Sequence, residues 1–354
     1  MKAAVWHGRG DVRVEDVASA PDPGPGEVRA AVEWCGICGT DLEEWRSGPH
    51  FIPSDAPHPL TGTRAPMILG HEVSARIADI GEGVTDLHEG DLVALDGLMG
   101  CGECWWCARH MINLCPKMAS IGLHVNGGLA ETITVRAATC IAVPAGVGAD
   151  SAALAEPFAV AVRALRRARL SFGESVAIFG GGMIGLATTV VAKAAGAAPI
   201  VMVEPLAERR ALALQCGADH AFDPREAEVL DEIVSHTQGR GADVSVDAAG
   251  TPAVGPLAVR ATRSGGRTAI VGLTWEPSSF SFFTLAAGEK EIIGSLSHVA
   301  DEDFTAAVSL IAARGITPEL VSAMKVPLER AVDEGFASLA GAHPPAKVLV
   351  GGRA

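Results

Sequence analysis

Aromatic residues are scarce in this chain, 5% of 354 residues, and basic residues are outnumbered, 28 Lys and Arg against 42 Asp and Glu. The formal charge of −14, with no Lys/Arg cluster beyond local pairs and triplets, leaves no basic face for phosphate and excludes a nucleic-acid partner. Long hydrophobic runs are also missing. The most apolar stretch, residues 187–203, is interrupted by Lys193 and Pro199, and the opening MKAAVWHGRGDVRV has no apolar signal core. Membrane insertion and export are therefore not expected, and the cytoplasm is. There is no low-complexity tract and no repeat of solenoid length, which removes disordered and solenoid classes. Eight cysteines in a long chain from a reducing compartment, clustered as these are, point to metal rather than to a disulfide scaffold.

What is present is 48% apolar residues in a chain of 354, enough to bury two cores and short for three. The first part, up to roughly residue 150, is rich in Gly and Pro with short β-branched runs at 27–33 and 92–95, and reads as a mainly β, loop-rich domain. From Ser175 the rhythm changes to short buried strands alternating with helical stretches: VAIFG, MIGLATTVVAKAAGA, PIVMVE, LAERRALALQCGA, HAFD, AEVLDEIVSHTQG, ADVSVDAAG and RTAIVGL. That alternation specifies an α/β architecture with a doubly wound parallel sheet. After Ser295 an acidic helix start at Asp301, Glu302 and Asp303, a helix near 328–339 and a last strand at 347–350 break the alternation. This tail is expected to return to the first domain.

Gly180, Gly182 and Gly185 form a GxGxxG that follows a strand and opens a helix, with Met183 and Ile184 at the helix start. The glycines suit a tight turn, close approach of backbone to a pyrophosphate, and close packing of helix on strand. The free N–H groups and partial positive charge of the helix N-terminus suit the phosphates. Taken alone, three glycines also suit a plain structural turn. Glu204, about 20 residues on at the end of the next strand, is placed to accept hydrogen bonds from the adenosine ribose and to repel a 2′-phosphate, so NAD is favoured over NADP. Arg209 and Arg210 are alternatives to that reading, since a guanidinium there either accepts a 2′-phosphate, stacks on adenine or is simply solvated.

Cys101, Cys104, Cys107 and Cys115 read as CxxCxxC with a fourth cysteine seven residues between. Four thiolates on one short lobe close a tetrahedral zinc site with no open position, hence a structural one. Free buried cysteines, a pair of disulfides or an iron–sulfur cluster are the other readings. A catalytic candidate lies in Cys38 of WCGICGTDLEEW and His71 of LGHE, with Thr40 close by, Glu72 next to His71, and Glu156 in LAEPFAV. One Cys, one His and one carboxylate with an open position suit a catalytic zinc that polarises a carbonyl. Glu156, followed by Pro157, also suits a helix-start carboxylate.

Together CGICGTDLE, PMILGHEVSARIADIGEGV, GDLVAL, the four-cysteine lobe, NGGLAE, LAEPFAVAVRAL, the glycine-rich turn and the closing KVLV resemble the zinc-containing medium-chain dehydrogenases over nearly the whole chain. The resemblance implies a GroES-like β-barrel catalytic domain over 1–155 with the structural zinc lobe, a Rossmann NAD-binding domain over 156–295, and a return segment over 296–354. It implies two zinc ions per chain and NAD. Cys38, His71 and Glu156 match the ligands of the catalytic zinc, and Glu72 matches the neighbouring glutamate that ligates in exchange or sits behind the metal. Asp41 matches the partner that orients the histidine, and Thr40 the hydroxyl that passes the substrate proton outward. Gly180, Gly182, Met183, Ile184, Gly185, Glu204 and Arg209 fall in the cofactor site. Glu43 stands where many relatives carry a histidine, as a replacement base or an unrelated surface residue.

The stretch GPHFIPSDAPHPLTG, with His50 and His58, resembles an insertion of the butanediol dehydrogenase branch, or serves only to stiffen a surface loop. The implied reaction is hydride transfer between NAD and a secondary alcohol or ketone, from a small diol, polyol or amino-polyol; a non-catalytic NAD-binding sensor or structural protein is the alternative. The segment from Arg267 to TWEPSSFSFF suits pairing across a two-fold axis, in a homodimer or homotetramer, or a lid over the cofactor.

Overall fold

The computed structural model describes residues 1–351. Contacts cluster into two compact units, 1–156 together with the chain from 299 onward, and Pro157–His298.

The first unit is built mainly on antiparallel strands, with Met324–Val326 parallel to Val348–Gly351. A seven-stranded sheet runs in the order Cys140–Ala142, Leu92–Leu95, Glu72–Ile80, Glu27–Ile37, Val348–Gly351 and Met324–Val326, with Thr132–Arg136 also paired to Glu27–Ile37. A three-stranded sheet joins Asp11–Asp16, Lys2–Gly8 and Met67–Ile68. Along Glu72–Ile80 every residue from Glu72 to Ala75 is buried, and Arg76 opens an alternation of buried and exposed positions, the pattern of a strand half inside a closed sheet. The core gathers Trp6, Ile37, Leu69, Val73, Leu95, Leu129, Phe336 and Val348, all nearly inaccessible. Trp6, the largest of them, donates its indole N–H to Glu44 O at 2.9 Å, as a buried Trp requires.

The chain after 299 returns to this unit, and Val348–Gly351 lies antiparallel on Glu27–Ile37. The helical signal at 328–339 takes an irregular form: a 3₁₀ turn at Leu328–Arg330, a π turn at Ala331–Phe336 and a short α-helix at Ala337–Ala340. The acidic start at 301–303 likewise lies in a π turn, Ala300–Phe304, before the α-helix Thr305–Arg314.

The second unit holds six strands, all parallel, in the order His220–Phe222, Ile200–Val203, Val176–Phe179, Ala242–Asp247, Thr262–Ile270 and Glu291–Gly294. Numbered along the chain this is 3-2-1-4-5-6, the doubly wound order whose reversal lies beside the first strand. Val176–Phe179, Ile200–Val203 and Ala242–Asp247 are buried throughout, as central parallel strands covered on both faces must be. Among the described residues no helix is long and apolar enough to cross a membrane.

Candidate active site and dinucleotide turn

Sheet register assembles the first site. Gly36 pairs with Glu72, and Val348 with Ile37, so three chain segments reach the same end of the central strand. Cys38 leaves that end and caps the helix Gly39–Ser47 in an extended conformation, its backbone N–H donating to Asp41 Oδ2 at 2.9 Å. His71 sits just before the paired strand. Cys38, His71 and Glu72 thereby offer ligand atoms within 4.8 Å of one another.

Asp41 is fully buried. Its second oxygen, Oδ1, faces His71 Nδ1 at 3.6 Å, and both are buried atoms without a hydrogen-bond partner. A proton on Nδ1 facing that carboxylate orients the ring by charge and leaves the other nitrogen for a metal. Burial works against a charge on His71, but the Asp41 carboxylate and the Cys38 sulfur outweigh it and push its pKa well above the usual histidine range. Burial likewise raises Asp41, against the pull of His71. A half-buried thiol converging with a buried imidazole and a buried carboxylate fits a divalent zinc ion.

Thr40 Oγ1 accepts from Cys38 Sγ at 3.8 Å. Glu156, in the first turn of the helix Ala155–Arg167, is near enough for its charge to be felt at both His71 and Lys347. Glu43 is exposed and accepts from Ser47 Oγ at 3.3 Å, and that hydroxyl also meets His50 Nε2 at 2.8 Å. The loop after the helix is anchored by the buried Glu44 carboxylate, which accepts N–H donors from His50, Phe51 and Ile52. Farther along it, Thr61 Oγ1 donates to His124 O at 2.8 Å, and the His58 and His124 rings meet at 4.6 Å. Burial, then the His58 neighbour, hold His124 down at about 4, and burial lowers His58 as well.

Sequence reading missed Lys347. It is 2% exposed and donates to both oxygens of Glu72 at 2.6 Å and to Ile37 O at 3.0 Å. The only signal for it is a charged residue heading an otherwise apolar strand, KVLV.

The second cluster is the cysteine lobe. Cys101, Cys104, Cys107 and Cys115 place all four sulfurs within 4.8 Å of one another; Cys107 opens the 3₁₀ turn Cys107–Arg109, Cys115 caps the turn Ile112–Leu114, and Cys101 and Cys104 lie in the loop between that first turn and the strand Leu98–Met99, which pairs with Ala119–Ser120. Backbone N–H groups of Cys101 and Lys117 point at Cys115 Sγ, and that of Cys107 at Cys104 Sγ, each at 3.4 Å. Four thiolates so close require a cation among them, and a four-sulfur set suits zinc with no place left for substrate.

In the second unit the glycine turn closes the strand Val176–Phe179. Gly180 has φ +99°, and a Cβ there would press on Ala249; a Cβ on Gly185 would lie 1.8 Å from Gly180 O. Gly182, by contrast, faces open space on its Cβ side apart from the end of Arg209 at 3.9 Å. It is the N-cap of Met183–Ala194 and supplies no side chain to its first N–H groups. This is a cradle shaped for phosphate. Glu204 accepts from Gly181 N–H at 2.6 Å and from Leu206 N–H at 2.8 Å, so the carboxylate lies at the rim of the turn. Arg210 binds Glu204 O, Pro205 O and Asp223, and Arg225 chelates the same Asp223.

Comparison with known proteins gives the same class. Residues 24–145 match the alcohol dehydrogenase GroES-like domain, and residues 184–313 match the zinc-binding dehydrogenase domain. The (R,R)-butanediol dehydrogenase of Bacillus subtilis (strain 168) is 34% identical over 351 residues, 99% of each chain. Sorbitol dehydrogenase of the same organism is 36% identical over 278 residues, 77% of this chain and 75% of the other. The crystal structure of the 2R,3R-butanediol dehydrogenase from Bacillus subtilis superposes with a TM-score of 0.92, covering 99% of both chains. With both domain models matched in order and a full-length relative of the same fold, this chain belongs to the zinc-dependent medium-chain alcohol dehydrogenases, and is an oxidoreductase of that family.

Proposed function

We propose that the chain is an NAD-dependent dehydrogenase of small vicinal diols and the matching hydroxyketones, with the first unit as catalytic domain and the second as NAD-binding domain. The observation that carries this reading is the convergence of Cys38, His71 and Glu72 within 4.8 Å, backed by Asp41, apart from the closed four-cysteine cluster. Cys38 and His71 are protein ligands of a catalytic zinc, with Glu156 as the carboxylate ligand and Glu72, already at ligand range, able to take its place in exchange, and Cys101, Cys104, Cys107 and Cys115 hold a structural one. When bound, zinc supplies the Lewis acidity that lowers the pKa of a substrate hydroxyl, and NAD supplies the hydride acceptor.

The chain's own residues do the rest. Asp41 fixes the His71 ring, and Thr40 takes up the substrate hydroxyl proton and passes it outward. Gly180, Gly182 and Gly185 let the pyrophosphate reach the N–H groups of Met183 and Ile184. Glu204 receives the adenosine ribose, which disfavours a 2′-phosphate, while Arg209 flanks the turn. Glu43, tied to Ser47 and His50 at the surface, is the outer proton acceptor in place of a histidine.

A diol is supported by the likeness to the butanediol dehydrogenase and by the pinned loop 49–63, held at one end by Glu44 and at the other by His124. The clustering of cysteines at 101–115, with none of the eight joined in a disulfide, supports a reducing compartment, the cytoplasm. A homodimer or homotetramer is supported by the edge strand Glu291–Gly294, whose Ile292 is exposed, as are Leu273, Trp275, Phe282 and Phe283.

NADH formation with a panel of vicinal diols, cyclic polyols, amino-polyols and threonine, run with NAD and NADP in parallel, tests the reading. The expected outcome is turnover of a 2,3-diol with NAD. Silence with diols and turnover of another class would reassign the substrate, and a preference for NADP would overturn the role given to Glu204.

A further inference from the structure

Two neighbouring strands of the parallel sheet end on acidic residues. Ile200–Val203 and His220–Phe222 run in register with Val203 against Phe222, so the next residue on each, Glu204 and Asp223, stands at the same edge of the sheet. Both are nearly inaccessible, 3% and 5% exposed, but their charges are met differently. The Glu204 carboxylate accepts backbone N–H groups, from Gly181 and Leu206. The Asp223 carboxylate accepts two guanidiniums: Arg225 through Nε at 2.9 Å and Nη2 at 2.5 Å, and Arg210 through Nη1 at 3.2 Å.

The same two arginines also bind the backbone beside Glu204. Arg210 Nη1 donates to Glu204 O at 2.9 Å and to Pro205 O at 2.8 Å, and Arg225 Nη2 donates to Pro205 O at 2.6 Å. Glu204 is near enough for its charge to be felt at Arg225. At this edge of a dinucleotide fold a carboxylate receives a ribose 2′-hydroxyl, whereas a guanidinium accommodates a 2′-phosphate. The chain carries both kinds of group here, and a guanidinium's planar fork matches phosphate.

Stability gives little reason for the arginine pair. The Arg225 side chain is 67% exposed, and ion pairs open to water contribute little. The turn after the strand needs only an acceptor for Arg225 N–H, now Asp223 Oδ1 at 2.9 Å, which a serine hydroxyl also supplies. What the Asp223 carboxylate adds is direction: it commits donors of both guanidiniums to the protein.

We propose that Asp223 is a specificity-determining residue: it draws Arg210 and Arg225 onto the protein and so keeps closed a 2′-phosphate site that the chain otherwise carries beside Glu204. This rests on the dinucleotide-site reading given above, and the test separates the two.

The test measures Kd for NADH and NADPH by cofactor fluorescence in the full-length protein, with no turnover required. Arg209, beside Gly182, is left unchanged in every variant. Wild type is expected to bind NADH more tightly. Glu204→Gln removes a charge that repels the 2′-phosphate but leaves the guanidiniums held, and is expected to tighten NADPH only about threefold. Adding Asp223→Ser is expected to tighten NADPH a further thirtyfold or so, about what one charge-assisted hydrogen bond is worth. Asp223→Asn, which keeps the shape without the charge, is made alongside, and its gain is expected to have the same sign. Arg210→Ala and Arg225→Ala, introduced into the Glu204→Gln/Asp223→Ser protein, are expected to return NADPH to the Glu204→Gln value.

A Glu204→Gln protein that gains the full increase by itself would show both arginines within reach while Asp223 is present, and would overturn the proposal even if Asp223→Ser did not fold. No further gain on changing Asp223, or a gain that survives loss of both arginines, would overturn it too, as would wild type that binds NADPH as tightly as NADH. Wild type that binds neither cofactor would instead sink the dinucleotide-site reading on which the proposal stands.

Discussion

At the scale of single residues, the proposed chemistry turns on a few polar groups around Cys38 and His71. Thr40 is the one hydroxyl beside Cys38 in its own turn, at 3.8 Å. If it carries the substrate proton, Thr40→Ala lowers kcat/KM by about a hundredfold with zinc content unchanged, and Thr40→Ser recovers most of the loss. Steady-state kinetics beside metal analysis on the same samples checks this.

Asp243 carries a different kind of prediction, for stability. It accepts from Ser175 N–H and Oγ–H and from the Arg263 guanidinium. Burial opposes its charge, but Arg263 and Ser175 outweigh burial and hold the carboxyl below its ordinary 3.8. A depressed folded pKa means that the contribution is fully present above 3.8 and is lost as pH falls through the folded value. Asp243→Asn is therefore less stable than wild type near neutrality, and urea midpoints of the two should converge as the pH is taken below 3.8. A constant gap at all pH values would deny the carboxylate that role.

At the scale of elements, the glycine turn was legible because every requirement on it is local. A strand, a turn and a helix start are contiguous in sequence, and Glu204 lies only 23 residues from Gly181. Gly185→Ala tests the packing: with its Cβ 1.8 Å from Gly180 O, the helix must move off the strand. A loss of about 1–3 kcal/mol in urea unfolding and weaker NADH binding by fluorescence titration are expected together. The four-cysteine lobe was legible for the same reason, its cysteines falling within a run of fifteen residues, 101–115.

The Lys347–Glu72 pair was not, because its partners lie 275 residues apart and meet only through a ladder register that no local pattern specifies. The irregular turns at Ala300–Phe304 and Ala331–Phe336 escaped for a related reason: apolar spacing marks a helical face but does not tell a π turn from an α one.

At the scale of the molecule, each unit has its own core. The parallel sheet of Pro157–His298 offers a phosphate cradle at the end of its first strand. The antiparallel unit collects three distant chain segments at one end of Glu27–Ile37 and keeps a second, closed sulfur cluster on a separate lobe. That division predicts that the two metal sites can be lost independently.

The measurement that bears most directly on this account is zinc content and turnover on one sample each of wild type and His71→Ala. The account predicts about two zinc ions per chain in wild type and about one in the variant, with far-UV circular dichroism unchanged and turnover reduced about a thousandfold or more. A variant that keeps both zinc ions, or that turns over substrate at near the wild-type rate, would contradict it.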